Sequence, residues 1–140
     1  MAVEFKTANG VEVVINDPDF LDAIALKNAL GREFKKADIK LDIEQLRTNL
    51  DVDANVLISA LLQIDTSEDV YKAVFKCLER STYNKLKISP STFQDPKARE
   101  DFYEIYVACI KETISPFLKG LVSRLSGIKS QILSNIQKSQ

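Results

Sequence analysis

Carboxylates are the residues of this 140-residue chain whose types and spacing come closest to chemistry. They gather as Asp17/Asp19/Asp22, Asp51/Asp53 and Glu100/Asp101/Glu104. Two neighbouring carboxyl groups held at different protonation states are the minimum for general acid and base work. Each group, however, stands at or near the start of a predicted helix. There an acidic side chain caps free N–H groups and meets the positive end of the helix dipole. Capping is therefore the preferred reading. Asp51-x-Asp53-x-Asn55 opens like a calcium loop, but its sixth position is Val56 and its twelfth is Leu62. A calcium loop needs glycine and glutamate there.

The rest of the inventory narrows the chemistry further. The chain has no histidine, which excludes a His-based triad and a His-ligated metal. Cys77 and Cys109 are 32 residues apart in apolar stretches, whereas zinc needs more ligands at tighter spacing. Two buried thiols in a reducing compartment are expected. The four glycines are scattered, so no phosphate-cradling loop is present. Tyr71, Phe75, Tyr83, Phe93, Phe102, Tyr103 and Tyr106 fall mostly at core-like helical positions, the alternative being a base-stacking platform. No catalytic residue, cofactor or metal is expected, and an enzyme is the least favoured class.

Positioning elements follow from local pattern. Val3, Phe5, Val11, Val13 and Ile15 alternate around Ala8-Asn9-Gly10. A two-residue Asn-Gly loop would scatter them over both faces. A three-residue loop with Gly10 in the left-handed conformation pairs Phe5 with Val13 and Val3 with Ile15, and sets Lys6 opposite Glu12. A lone hairpin is marginal in water, so this one must pack on helices or join another sheet.

Everything after Asn16 reads as helical, broken by loops. Asp17-Pro18 is a cap followed by a first-turn proline. Phe20, Ile24, Lys27/Asn28 and Leu30 follow helical spacing, and Gly31 is a point where the helix stops or loosens. Residues 35–51 are ambiguous between strand alternation (Ile39, Leu41, Ile43) and helical steps (Ile43, Leu46, Leu50). Residues 53–64 read as a short core helix. Ser67 caps another, with Val70, Val74 and Leu78 on one face and Cys77 adjoining. Residues 83–92, holding Pro90, read as a loop or irregular extended segment. Asp95-Pro96 repeats the cap-plus-proline device, and Phe102, Ile105, Tyr106, Cys109, Ile110 and Thr113 line the helix behind it. Ser115-Pro116 should kink or break that helix near Ile114.

The last segment carries the strongest periodic signal. Ile110, Ile114, Phe117, Leu121, Leu125, Ile128, Ile132 and Ile136 step by 4, 3, 4, 4, 3, 4 and 4, a mean near 3.7. That is a sustained amphipathic stripe. From residue 116 to the last, the helix would extend about 40 Å, long for a domain this small. Beside it Gly120, Ser123, Gly127, Ser130 and Ser134 form a line of small residues, either a solvated face or a close-approach surface. The two glycines cost the isolated helix about 1 kcal/mol each against alanine. Fully buried, the apolar stripe would contribute about 10–15 kcal/mol gross, before ordering costs.

Composition is that of an ordinary globular protein, 45% hydrophobic and 28% charged. The net charge of −1, from 19 basic and 20 acidic residues, argues against a general nucleic-acid binder. It conceals an asymmetry. Residues 1–70 hold 7 basic and 14 acidic side chains, net −7, and residues 71–140 hold 12 and 6, net +6. After Glu112 there are no acids, while Lys119, Arg124, Lys129 and Lys138 remain. Either the halves face each other, within a subunit or head to tail between subunits, or the basic arm seeks an acidic partner or an anionic lipid surface. The N-terminus lacks an apolar signal-peptide core, and the longest uncharged apolar run, residues 54–64, is too short for a bilayer. An intracellular, soluble protein is expected. The fold class is mainly α, a helical bundle with a small N-terminal β-hairpin and a long C-terminal amphipathic helix. Residues 1–115 form the hairpin and helical core domain, and residues 116–140 the arm.

In order along the chain, Val3-Glu-Phe…Asn9-Gly-Val-Glu-Val-Val-Ile15, Phe20…Leu26-Lys27…Leu30, Tyr71…Phe75…Leu78, Phe93-Gln-Asp-Pro-Lys-Ala-Arg99…Phe102…Ile105 and Ile114-Ser-Pro-Phe117 make up a layout. That layout resembles the tail assembly chaperones of long-tailed bacteriophages. The resemblance implies a nonstructural assembly factor in the cytoplasm of the infected host. It would bind the helical, hydrophobic tape measure protein, keep it soluble and help tail tube subunits polymerise around it, without nucleotide and without catalytic residues. In many such phages a longer form arises by frameshifting. Helix-in-groove docking suits that partner, and Phe117, Leu121, Leu125, Ile128 and Ile132 are the expected contact surface. Self-association through the same arm is the second use, and neither nucleic acid nor membrane is expected as a partner. The competing classes are a virion structural subunit of the tail completion or connector kind, and a small regulatory or membrane-surface binding protein.

Overall fold

The computed structural model describes residues 2–36 and 67–138, with side chains up to Phe117 and that of Lys119. The ambiguous stretch beyond Lys36, the short helix at 53–64 and the calcium-like Asp51-x-Asp53-x-Asn55 lie outside the described residues.

The hairpin forms in the register that burial of one face requires. Strand β1 (Val3–Lys6) pairs antiparallel with β2 (Glu12–Ile15), setting Val3 opposite Ile15, Phe5 opposite Val13 and Lys6 opposite Glu12. Gly10 sits at φ +79°, a conformation that costs glycine nothing. The Gly10 N–H donates to the Thr7 carbonyl at 2.8 Å, and the Thr7 N–H donates to the Val11 carbonyl at 2.9 Å. This is the three-residue loop, a turn closed by a left-handed glycine. Val13 and Ile15 face the core, and Glu12 faces out.

The hairpin is half of a larger sheet, which corrects the expectation that everything after Asn16 is helical apart from loops and an irregular extended segment at 83–92. The start of that segment, with Thr82 before it, forms β3 (Thr82–Tyr83) and β4 (Leu86–Lys87), and the strand order is β1-β2-β3-β4, antiparallel throughout. Asn84 and Lys85 both take positive φ, 52° and 68°, the backbone of a two-residue hairpin turn. Asparagine tolerates that conformation, whereas lysine gives no sequence signal for it. Tyr83 lands opposite Val13. The Asn84 N–H donates to the Glu12 carbonyl at 2.9 Å, and Asn16 reaches the Ser81 hydroxyl and the Arg80 carbonyl at 3.1 and 2.6 Å. Behind β4, Pro90–Gln94 make a 3-10 turn, with the Ser89 N–H donating to the Thr92 hydroxyl at 3.1 Å.

Helix α1 (Phe20–Lys36) departs from expectation in three respects. It starts two residues later than the Asp17-Pro18 device suggests, since the Asp19 carbonyl accepts the first helical bond from Ala23. It also runs through Gly31 without interruption. A single interior glycine costs about 1 kcal/mol, and packing of the turns on either side outweighs that. Its buried face is Ala23, Leu26, Ala29, Leu30 and Phe34, rotated away from the Phe20/Ile24 line. The helix has apolar residues on more than one side, so periodicity offered two faces and the neighbouring elements selected one.

Helix α2 (Glu68–Cys77) follows its sequence closely. Ser67 caps it, its hydroxyl accepting from the Val70 N–H at 3.3 Å, and Val70, Val74, Cys77 and Leu78 are buried. Helix α3 (Pro96–Lys138) starts at the second cap-plus-proline, with the Lys97 and Arg99 N–H groups donating to Asp95. The three helices among the described residues pack on one another, and β2 packs on α3. One core cluster joins Val13 and Ile15 of the sheet, Leu26, Leu30 and Phe34 of α1, Val70 and Val74 of α2, and Ile105, Tyr106, Ile110 and Ile114 of α3. Each such side chain, fully buried, contributes about 1.5–3 kcal/mol of transfer free energy. The protein is thus mainly helical, with a small antiparallel sheet and a long C-terminal helix.

Pro116 does not break α3, correcting the expectation of a break near Ile114. The helix continues through it to Lys138. Proline forfeits one backbone bond and crowds the carbonyl four residues back. That carbonyl belongs to Glu112; one residue earlier, the Ser115 hydroxyl donates to the Lys111 carbonyl at 2.5 Å. The boundary expected at 115/116 falls inside this continuous helix.

Candidate functional site

The carboxylates of α3 do not cap the helix, which corrects their expected role. Asp95 does that, and Glu100, Asp101 and Glu104 lie one to two turns further in. They receive the tip of the first hairpin. Asn9 donates its side-chain amide to Glu100 Oε2 at 3.1 Å and to Asp101 Oδ1 at 3.0 Å, and the Ala8 N–H donates to Glu104 Oε1 at 3.0 Å. Asp101 is 1% exposed, and its Oδ2 accepts from the Tyr83 hydroxyl at 2.7 Å. Burial, reinforced by this bond and by the Asp101 charge, pushes the Tyr83 phenol up to about 12. A phenol held protonated against a carboxylate is a tie, fastening the turn of β1–β2 and the start of β3 to one face of α3. The signal that could have revealed this was Asn9 itself, whose side chain the loop geometry alone does not use.

The first acidic group also has work other than capping by its side chains. The Asp19 carboxylate pairs with Arg80, joining the start of α1 to the end of α2. Asp51 and Asp53 lie outside the described residues. Among the described residues, no three His, Cys, Asp or Glu side chains are grouped so as to hold a metal ion.

Both thiols are free and buried in the core. Cys77 donates to the Asp22 carbonyl at 3.4 Å, and Cys109 lies 3.9 Å from the Val74 carbonyl. The hydrogen bond with Cys77, together with burial, pushes the Cys109 thiol well above its ordinary value. A thiol kept protonated is a poor nucleophile. The aromatic side chains spend their faces on each other: Phe102 lies 5.1 Å from Phe93, 5.5 Å from Tyr106, 5.8 Å from Tyr71 and 6.1 Å from Phe75, centre to centre.

What remains is the surface at which α3 leaves the core. The Ile110 and Ile114 positions of the stripe are buried. Phe117, the next position, is half-buried; its ring lies 6.4 Å from that of Phe20, and Lys27 Nζ stands 5.8 Å from its centre. That places one expected contact residue against α1 of its own chain. The cation over the ring adds about 0.5–1 kcal/mol at an exposed site. Phe20 and its neighbour Leu21 remain 69% and 77% exposed. Leu121, Leu125, Ile128 and Ile132 all lie within the backbone of α3, which is helical throughout. The structure therefore supports the helical spacing on which the stripe depends. Side-chain contacts of those four residues lie outside the described part.

Comparison with protein-family models, with curated proteins and with solved structures finds no match to the chain. Among the described residues, no helix is long and apolar enough to cross a membrane.

Proposed function

We propose that the protein is a tail assembly chaperone of a long-tailed bacteriophage, not an enzyme, acting in the cytoplasm of the infected cell. It holds the tape measure protein in soluble form and promotes assembly of tail tube subunits around it. The observation that carries this reading is the length and continuity of α3. Its 43 residues span about 65 Å. A compact domain of this chain length has a radius of gyration of about 14 Å. The helix outruns such a domain, and the stripe of isoleucine and leucine continues along it.

In this reading the three helices form a small bundle that anchors the arm, with the sheet along one side. Phe117 is the pivot, already seated against α1, and Leu121, Leu125, Ile128 and Ile132 supply the docking face for an amphipathic helix of the partner. No cofactor is required, because the work is burial of apolar surface. Co-expression tests it: the chain should keep tape measure protein in the soluble fraction, and Leu121→Asp with Leu125→Asp should return it to the pellet. Equal protection by the double variant would remove the arm from the binding surface.

A virion structural subunit is the second reading, favoured by the place of β1 at the edge of the four-stranded sheet among the described residues, where a neighbouring strand can add. Mass spectrometry of purified virions separates the two, since a chaperone leaves the finished particle.

A further inference from the structure

Two large apolar side chains sit at the start of α1 with most of their surface in solvent. Phe20 and Leu21 are 69% and 77% exposed, and Phe117 meets this patch from one side through its ring contact with Phe20. Asp17, Asp19 and Asp22 flank the pair in sequence. Arg80 offsets part of that charge through its pair with Asp19. The arm carries the complementary chemistry: apolar residues at helical spacing, and Lys119, Arg124, Lys129 and Lys138 without a single acid after Glu112.

The arm cannot reach the patch of its own chain beyond its first turn. Helix α3 is unbroken from Pro96 to Lys138. Each residue advances it about 1.5 Å, so position 125 lies about 12 Å and position 132 about 22 Å past Phe117 along the axis. Without a break the helix has no way back to Phe20 and Leu21. A second copy of the chain is under no such restriction.

We propose that the arm of one copy docks on the Phe20–Leu21 patch of the next, head to tail, with Leu125, Ile128 and Ile132 meeting Phe20 and Leu21. The two surfaces differ, so the contact is heterologous. Each added copy leaves one arm and one patch open, and assembly ends only in a ring or continues as a filament. Apolar burial supplies the attraction, and the opposed charges set the direction and make it weaken with salt. The interface needs only this chain, so it stands or falls separately from tape measure binding.

Sedimentation equilibrium of the full chain alone tests it. Average mass should exceed the monomer and climb with concentration, and should fall as salt is added. A patch variant, Phe20→Asp with Leu21→Asp, and an arm variant, Leu125→Asp with Ile128→Asp, should each sediment as monomers. Mixed in equal amounts they should form a one-to-one dimer and nothing larger, because one intact arm then meets one intact patch. The milder Phe20→Ser with Leu21→Ser, with helicity followed by circular dichroism, guards against a variant that merely unfolds. Three outcomes overturn the proposal. In one, wild-type chain stays monomeric at every concentration, its arm covered by its own chain. In another, the patch variant alone still dimerises, as arm-to-arm pairing would require. In the third, folded variants fail to combine on mixing.

Discussion

The stretch of α3 up to Ile114 and the stretch beyond Phe117 share one hydrogen-bonded backbone and one apolar period, yet their described surroundings differ. In the first, Ile105, Tyr106, Ile110 and Ile114 are enclosed by α1, α2 and the sheet. In the second, the same step of three and four residues continues along the helical backbone, and Phe117 at its start meets the Phe20 ring and Lys27. The difference teaches that periodicity announces a face to be covered without saying what covers it. The helical pattern is set by local spacing, while the cover depends on how far the rest of the chain reaches. Proline at 116 does not mark a division, since the helix passes through it.

Substitution to alanine at matched positions should separate the two stretches most sharply. Ile110→Ala opens a cavity in the core and should cost about 2–5 kcal/mol in urea unfolding. Leu125→Ala, measured under dilute conditions, should stay within about 0.5 kcal/mol, as surface changes do. Equal losses would mean that the arm is packed within its own chain, and the comparison would fail.

The polar tie on the core stretch comes next. Asp101→Ala leaves the Tyr83 hydroxyl without this acceptor and removes one of the two that the Asn9 amide uses, at a cost of about 1–3 kcal/mol. Its tertiary signature is faster hydrogen exchange at the β1–β2 tip, with the distal end of α3 unaffected. At the junction, Pro116→Ala restores a backbone donor and removes ring crowding. Helix stability should rise by about 2 kcal/mol, the helical gain of about 3 less the loss of proline's constraint on the unfolded chain. Thermal melting would show it, and a decrease would mean that the proline shapes a contact here.

The smallest effect is a pH dependence. The folded Tyr83 phenol titrates near 12, above the ordinary value of 10. Its stabilising contribution is therefore fully present below about pH 10 and is lost as pH rises towards 12. The stability difference between wild type and Tyr83→Phe should shrink over that window. A difference that stays constant would disconnect the phenol from Asp101.

Much of the molecule was legible because its causes are local. Asn9-Gly10 with alternating valines specifies a hairpin register, since a one-residue slip would turn every apolar side chain outward. Ser67 and Asp95-Pro96 mark helix starts because the free N–H groups there need an acceptor within the next turn. Thr82–Lys87 escaped notice because two-residue strands carry no period to read. Glu100, Asp101 and Glu104 were assigned to capping because sequence shows only their distance from Pro96. The amide that claims two of them lies about ninety residues away in sequence. At the candidate site, the helical spacing of Phe117, Leu121, Leu125, Ile128 and Ile132 was legible, but the seat of Phe117 on Phe20 and Lys27 was not.

By itself, then, the amino-acid order determined the first hairpin, the starts of α2 and α3, and the amphipathic stripe, each a matter of neighbours within a turn or a strand pair. Tertiary structure alone decided which face of α1 is buried, that a second hairpin extends the sheet, and that α3 passes unbroken through Pro116 into the arm. These depend on which surfaces meet across the fold. Burial of a shared core outweighs the one to three kcal/mol by which a single glycine or proline, or a favoured local pattern, would have it otherwise, at about 1.5–3 kcal/mol for each large side chain enclosed.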